Sequence, residues 1–162
     1  MKILVVEDTK FMADTAVELL TNMGHEVTCV AGFSDAETPV FNDSDDNDVE
    51  LVLEDFELVF LDGDLLHHEE GKDVVPAIVK AGVPVVGTST LPNMNEAMVE
   101  AGATGSVPKG TWLLAMVHNR VTPEQFAEFS DATIEALAQV DADSKSSAEF
   151  RKAGDEILRK HM

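Results

Sequence analysis

Asp62 is the residue whose type and position most directly suggest chemistry. It ends a run of four apolar residues, 58–61, that predicts a buried strand. A carboxylate at the end of a buried strand is poorly solvated, so it needs a partner charge, a metal ion or a reaction. In open α/β sheets, ligands bind outside the carboxyl ends of the strands. The question is therefore which other strand ends reach the same edge.

Polar residues follow four of the predicted strands, and the parallel arrangement would bring them together. They are Glu7 and Asp8 after residues 3–6, Asp62 and Asp64 after residues 58–61, Thr88, Ser89 and Thr90 after residues 83–87, and Lys109 after residues 105–108. Crowded carboxylates repel one another, and Mg²⁺ offsets this repulsion while keeping water positions open for a phosphate. A lysine and a hydroxyl group supply donors for phosphoryl oxygens. The set lacks a Ser-His-Asp or Cys-His arrangement and favours phosphoryl transfer to a carboxylate.

The elements that would position these residues alternate between strand and helix. Strands are predicted at residues 3–6, 25–31, 56–61, 83–90 and 105–109, with helices ending near Gly24, Gly82 and Gly102 and a further helix over residues 112–119. Residues 32–55 are less regular: Ser34 could start a helix that Pro39 interrupts, and residues 49–56 predict a short helix. Five alternations indicate a doubly wound, five-stranded parallel sheet. Pro76 would fit its helix only in the first turn.

Two more helices are predicted beyond residue 120. Each begins with a capping box, at residues 122–125 and 146–149, and the first carries an apolar stripe. The stripe predicts a buried face without naming its partner, so packing on the body of the domain and a dimer or partner surface both stay open. The predicted organisation is a domain over residues 1–120 and a helical extension over residues 121–162.

The composition narrows the possible partners and locations. The 162 residues include 31 acidic side chains against 11 lysines and arginines, a net charge of −20. Such a charge repels nucleic acids and anionic membranes, so neither is expected as a partner. The one cysteine, Cys29, cannot form an intrachain disulfide, and no run is long enough for a signal peptide or a membrane span. A cytoplasmic location is predicted.

Two further acidic or histidine-rich segments suggest metal sites but fit them poorly. Residues 42–48 have the oxygen ligands of a calcium loop, yet they lack its glycine turn and its terminal glutamate. Residues 67–70 contain two adjacent histidines, which rarely chelate one ion together, and no third histidine or cysteine lies near them. Both segments are interpreted as solvated loops.

Residues 2–119 resemble the receiver domain of two-component response regulators. The resemblance depends on an ordered set of motifs: the acidic pair Glu7-Asp8, Leu61-Asp62, Ser89 after Pro84-Val-Val, and Ala-Gly-Ala-Thr-Gly ahead of Lys109. Each motif is weak alone, but their order and spacing together are specific. The resemblance implies a flavodoxin-like fold with strand order 2-1-3-4-5, followed here by extra C-terminal helices.

The resemblance also implies a role for each site residue. Asp62 would be the phosphoacceptor, phosphorylated in the presence of Mg²⁺ by a histidine kinase or a phosphotransfer protein. Asp8, Asp62 and the backbone carbonyl of Asp64 would bind Mg²⁺ directly, and Glu7 would act through water. Ser89 and Lys109 would hold the phosphoryl oxygens.

The chain departs from the family pattern at several positions. Asp8 and Asp62 are farther apart than usual, with the excess placed in residues 41–48, and Leu66 and Gly110 stand where the family has prolines. The position of the family's switch aromatic is Ser106, and the chain has no tyrosine. The usual coupling between a hydroxyl group and an aromatic ring therefore cannot operate in its familiar form.

The predicted function is a receiver that signals through contacts with a downstream protein, with a homodimer possible. The chain is not expected to be an enzyme, and its acidic C-terminal segment argues against a DNA-binding output. One alternative is a degenerate receiver that serves as an unphosphorylated scaffold or dimerisation module. Another is a phosphatase of the haloacid dehalogenase type, with Asp62 as nucleophile and Asp64 as general acid.

Overall fold

A central sheet of five parallel strands organises the computed structural model, which describes residues 1–119 and 121–160. The described residues form these five strands and three short ones of a second sheet: β1 (Lys2–Val6), β2 (Glu26–Val30), β3 (Gly32–Phe33), β4 (Phe41–Asn42), β5 (Asp48–Val49), β6 (Leu58–Leu61), β7 (Val85–Gly87) and β8 (Gly105–Ser106). The helices are α1 (Lys10–Asn22), α2 (Gly71–Lys80), α3 (Pro92–Glu100), α4 (Lys109–Asn119), α5 (Pro123–Glu128), α6 (Asp131–Asp143) and α7 (Ser147–Leu158).

The central sheet has the order β2-β1-β6-β7-β8, and every neighbouring pair is parallel. Counting only these five strands, the order is 2-1-3-4-5, so the predicted fold class is confirmed. β6 is the middle strand and β1 lies next to it. Both strands are almost entirely apolar because both of their faces are covered. Alternate residues of these strands enter two separate cores, one on each face of the sheet.

The connection from β2 to β6, all of which the structure describes, contains no α-helix, so the helix predicted after Ser34 is wrong. The short helix predicted over residues 49–56 is reduced to a single 3-10 turn. The segment forms a three-stranded antiparallel sheet, β3-β4-β5, and one 3-10 turn at Leu53–Asp55. Phe33 and Phe41 of this small sheet are buried in the core that α2 also covers. The Asp43 carboxylate accepts hydrogen bonds from the backbone N–H groups of Asp45 and Asn47, both at 2.9 Å, which favours a turn over a helix.

Other boundaries also differ from the prediction, among them those of β8, α4 and α2. β8 is only two residues long, and α4 begins at Lys109 rather than at Trp112, so the lysine starts a helix instead of ending a strand. α2 begins at Gly71, which places Pro76 in its second turn instead of its first. Short edge strands and the ends of helices are weakly specified by local sequence, and packing decides them.

In the described part of the chain, three helices lie beyond residue 120 instead of the predicted two, because the first predicted helix is divided at Phe129 and Ser130 into α5 and α6. All three pack on the body of the molecule. Phe126, Leu137 and Phe150 are each at most 2% exposed, and they share a core with α1, α4 and the central sheet. The ring of Phe60 in β6 lies 4.7 Å from Trp112 and 6.4 Å from Phe126, centroid to centroid. The faces predicted to be buried are therefore covered within the chain. Residues 120, 161 and 162, at the limits of the predicted domains, lie outside the described residues.

The first predicted capping box is complete, and the second is altered. The Thr122 hydroxyl accepts from the Gln125 N–H while the Gln125 side chain accepts from the Thr122 N–H. At the start of α7 the Ser146 hydroxyl accepts from the Glu149 N–H, but the Glu149 carboxylate accepts from Lys145 instead of Ser146. Across residues 1–119 and 121–160, no helix has the length and apolar character needed to span a membrane.

Candidate functional site

The strand ends bring the predicted site residues to one edge of the sheet. The parallel ladder continues one residue beyond the strands: the backbone N–H of Glu7 donates to Val30 and that of Asp62 to Val6, each at 2.9 Å. The N–H of Thr88 likewise donates to Leu61 at 2.8 Å. These bonds fix the backbone at the positions from which the side chains project.

Glu7, Asp8 and Asp62 form a compact acidic group. One carboxylate oxygen from each lies within 4.8 Å of the others. Glu7 and Asp62 are each 4% exposed, and Asp8 is half-buried. Oxygen ligands about 3–4 Å apart suit the octahedral shell of Mg²⁺, and a small shift of side chains would bring this group into that range. The donor set therefore fits a hard divalent cation.

Lys109 is the cation that balances this group. Its Nζ lies 2.6 Å from Asp62 Oδ2 and 2.7 Å from Glu7 Oε2, and the residue is 7% exposed. Burial lowers the pKa of Lys109, but its hydrogen bonds to Asp62 and Glu7 outweigh that effect and raise the pKa. The ammonium group therefore stays charged, and one lysine neutralises part of the charge of three carboxylates.

The Asp62 carboxyl is less acidic than usual. Burial, together with the charge of Glu7, raises its pKa from 3.8 to about 6, although hydrogen bonds from Lys109 and from the Gly63 N–H (2.6 Å to Oδ1) oppose the increase. The folded protein therefore binds a proton on Asp62 more tightly than the unfolded chain does. This carboxylate is held in its charged form at neutral pH at a cost to stability.

Asp62→Asn is expected to stabilise the metal-free protein at neutral pH by about 2 kcal/mol. Because the pKa of Asp62 is raised in the folded protein, its contribution to the free energy of unfolding is fully present below about pH 4. That contribution is lost as the pH rises through about 6. The variant should therefore unfold at higher urea concentration than the native chain at about pH 7.5, but not at about pH 4.

The matched control for this prediction is Asp45→Asn, which removes the same charge from an exposed loop residue. It should leave the free energy of unfolding within about 0.5 kcal/mol at both pH values. A destabilised Asp62→Asn protein at neutral pH would show that Lys109 stabilises the Asp62 carboxylate more than burial destabilises it.

Ser89 is held in place by Asn95, a residue that sequence reasoning missed. The Ser89 N–H donates to Asn95 Oδ1 at 2.9 Å, and Asn95 Nδ2 donates to the Ser89 carbonyl at 3.0 Å. The same carbonyl accepts from the Lys109 N–H at 3.2 Å. Asn95 is 7% exposed and lies on α3, where a polar residue on the inward face of a helix is the signal that could have found it.

The structure also places Asp64, the Ser89 hydroxyl group and Ser106. The Asp64 side chain is exposed, and the residue pairs with Glu70 across the loop that follows β6. The Ser89 hydroxyl lies beside Gly63, where an added Cβ would come within 3.0 Å of Oγ. Ser106 is half-buried on β8, so no ring projects from that strand position.

The loop after Asp62 is attached to the small sheet at two points. Glu69 Oε2 accepts from the Phe33 N–H at 3.2 Å, and His67 Nε2 lies 3.1 Å from Asp46 Oδ1 in an exposed contact. His67 and His68 both have left-handed backbone conformations, with φ of 61° and 62°. The strands that replace a helix between β2 and β6 therefore support the loop next to Asp62.

No protein-family model matches the chain, and no curated protein matches it. Solved structures do. A CheY-like receiver domain protein from Methanospirillum hungatei JF-1 is 18% identical, with a TM-score of 0.56 over 78% of this chain and 94% of that chain. The non-phosphorylated HemR receiver domain from Leptospira biflexa is 23% identical, with a TM-score of 0.56 over 80% of this chain and 95% of that chain.

A two-component response regulator from Clostridium difficile is 16% identical, with a TM-score of 0.52 over 74% of this chain and 93% of that chain. At these identities the likeness concerns the fold. The chain has the fold of response-regulator receiver domains, as the sequence resemblance implied, with additional helices at its C-terminal end.

Proposed function

We propose that this chain is a response-regulator receiver that accepts a phosphoryl group on Asp62 from a histidine kinase or a phosphotransfer protein. The observation that carries the proposal is the placement of the Asp62 carboxylate, which contacts the Lys109 ammonium group beside the carboxylates of Glu7 and Asp8. A nucleophilic carboxylate next to a cation and a metal-ligand set is suited to phosphoryl transfer.

In the proposed reaction, an Asp62 oxygen forms a bond to phosphorus as the donor's leaving group departs. Asp8, Asp62 and the Asp64 carbonyl would hold Mg²⁺, with Glu7 acting through water, and the ion would supply positive charge for the phosphoryl oxygens. Lys109 and the Ser89 hydroxyl donate to the same oxygens. Because protonated Asp62 is not a nucleophile, the raised pKa of about 6 predicts a slower reaction in more acidic solution.

The proposed output is a contact with a downstream protein. We assign residues 1–120 to the receiver domain and residues 121–162 to a helical extension whose described part completes the core on one face of the sheet. The net charge of −20 favours neither nucleic acids nor anionic membranes as partners. A cytoplasmic signalling protein without catalytic turnover, acting as a monomer or a homodimer, is consistent with this proposal.

Beryllofluoride, a mimic of the phosphoryl group, tests the switch. With Mg²⁺ present, it should change the backbone amide shifts of residues 62–64 and, farther away, of residues 88–119 in the native chain. Asp62→Asn should show neither set of changes, whereas the exposed-site variant Asp45→Asn should show both. Changes limited to residues next to Asp62 would contradict a phosphorylation-dependent output surface.

One observation favours a second candidate, an unphosphorylated scaffold. Lys109 already contacts both Glu7 and Asp62, so the buried charges are partly neutralised without a metal ion or a phosphoryl group. Ser106 also provides no aromatic ring for the coupling that the family uses. Equal affinity for the partner in the native chain and in the Asp62→Asn variant, with and without beryllofluoride, would support this candidate.

A further inference from the structure

A groove lies between α3 and α6 beside β8, the strand at one edge of the central sheet. It encloses about 350 Å³ and is lined by Glu96, Val99, Glu100, Ser106, Ile134 and Glu135. Val99 is 40% exposed, Ser106 and Ile134 are half-buried, and the three glutamates are exposed. The groove therefore has an apolar base and a rim of carboxylates.

The charge of this groove distinguishes it from three other hollows among the described residues. The hollow between α4 and α7 includes Arg151, Lys152 and Arg159, the one between α6 and α7 includes Lys145, and the one beside Gly63 includes Lys72. The α3–α6 groove has three carboxylates and no lysine or arginine in its lining. A cationic partner would complement it, and an anionic partner would be repelled.

We propose that the α3–α6 groove binds a basic segment of a partner protein. An apolar side chain of that segment enters between Val99 and Ile134, in the space left open because Ser106 carries no ring. Lysine or arginine side chains on either side of it pair with Glu96, Glu100 and Glu135. A second copy of this chain, with a net charge of −20, is disfavoured as the occupant.

The groove is connected to the phosphoacceptor site through α3. Asn95 holds both backbone polar groups of Ser89, and Val99 lies one helical turn farther along the same helix. A movement of Ser89 toward a phosphoryl oxygen would therefore shift one wall of the groove. This part of the inference rests on the proposed function, whereas the chemistry of the bound segment does not.

The test uses the full chain and a synthetic amphipathic peptide of lysine, leucine and alanine. Two comparison peptides have glutamate in place of every lysine, or the same composition in an order that lacks an apolar face. Amide shifts are recorded at about 0.15 M salt, where exposed charges farther apart than about 8 Å are largely screened. The lysine peptide should change shifts mainly at residues 96–106 and 134–135, and the other two peptides should not.

Matched variants separate groove binding from attraction to an acidic surface. Glu96→Gln/Glu100→Gln should weaken binding of the lysine peptide about fivefold. The control Glu18→Gln/Glu54→Gln removes the same charge from exposed residues of α1 and the 3-10 turn, so it should weaken binding less than about twofold. Val99→Arg, a change at an exposed helix position, should remove the localised shifts.

Several outcomes would overturn the proposal: no binding, equal weakening in both double variants, shifts spread over the acidic surface, or equal binding of either comparison peptide. Phosphorylation of Asp62 is measured separately by mass. Groove binding in a chain that cannot be phosphorylated would reject the proposed function and keep the groove assignment. Phosphorylation of Asp62 without binding of the lysine peptide to the groove would reject only the groove assignment.

Discussion

Lys109→Met is expected to lower the free energy of unfolding of the metal-free protein by about 3 kcal/mol at about pH 7.5. The substitution keeps an unbranched apolar side chain but removes the ammonium group that lies 2.6 Å from Asp62 and 2.7 Å from Glu7. Two carboxylates that are each 4% exposed would then be buried without a cation. Urea unfolding followed by circular dichroism measures the loss directly.

The loss should depend on pH and on added metal. Below the Asp62 pKa of about 6 the carboxyl group becomes neutral, so removal of the lysine should cost less at about pH 5 than at about pH 7.5. Mg²⁺ should restore part of the stability, because it can take over the charge that Lys109 supplied.

Lys80→Met, at an exposed lysine on α2, is the matched control and should change stability by less than about 0.5 kcal/mol. Equal effects of the two substitutions would contradict the assigned role of Lys109.

Gly71→Ala is expected to destabilise the protein by about 3 kcal/mol or more. A Cβ at this position would lie 2.1 Å from the backbone carbonyl oxygen of Asp62, which cannot move without disturbing the end of β6. Alanine gains about 1 kcal/mol over glycine from helix propensity, and the collision outweighs that gain. The same displacement should weaken Mg²⁺ binding, because Asp62 belongs to the acidic group.

Gly105→Ala is the control for this prediction. A Cβ at Gly105 meets no atom within 4 Å, so the substitution should be nearly neutral in urea unfolding and in Mg²⁺ binding. A Gly71→Ala protein with native stability and native Mg²⁺ affinity would show that the start of α2 and the end of β6 can separate at little cost.

The candidate site could be predicted because its carboxylates and Ser89 follow apolar strands. The runs before Glu7 and Asp62 mark strands that are buried on both faces, and the parallel sheet brings their ends to one edge. Lys109 could be placed near the same edge, although it begins α4 instead of ending β8. The resemblance to receiver domains gave the same strand order from the order of the motifs.

Features that depend on contacts between distant residues could not be predicted from local patterns. The hydrogen bonds of the Asn95 side chain to Ser89 form only when α3 is packed beside the Ser89 loop, so the role of Asn95 cannot be inferred from its local sequence. Gly71 is an ordinary helix start until the carbonyl of Asp62 is placed against it. The small β3-β4-β5 sheet cannot be predicted locally, because Pro39 and the acidic residues 43–48 indicate an irregular segment, while the burial of Phe33 and Phe41 is a tertiary effect.

The most direct test of the central claim is the intact mass of the protein after incubation with acetyl phosphate. The native chain and Asp45→Asn should each gain one phosphoryl group when Mg²⁺ is present and none when it is chelated. Asp62→Asn should stay unlabelled in both conditions. A native chain that is folded and binds Mg²⁺ but gains no mass, or an Asp62→Asn protein that is labelled as well as the native chain, would contradict Asp62 as the phosphoacceptor.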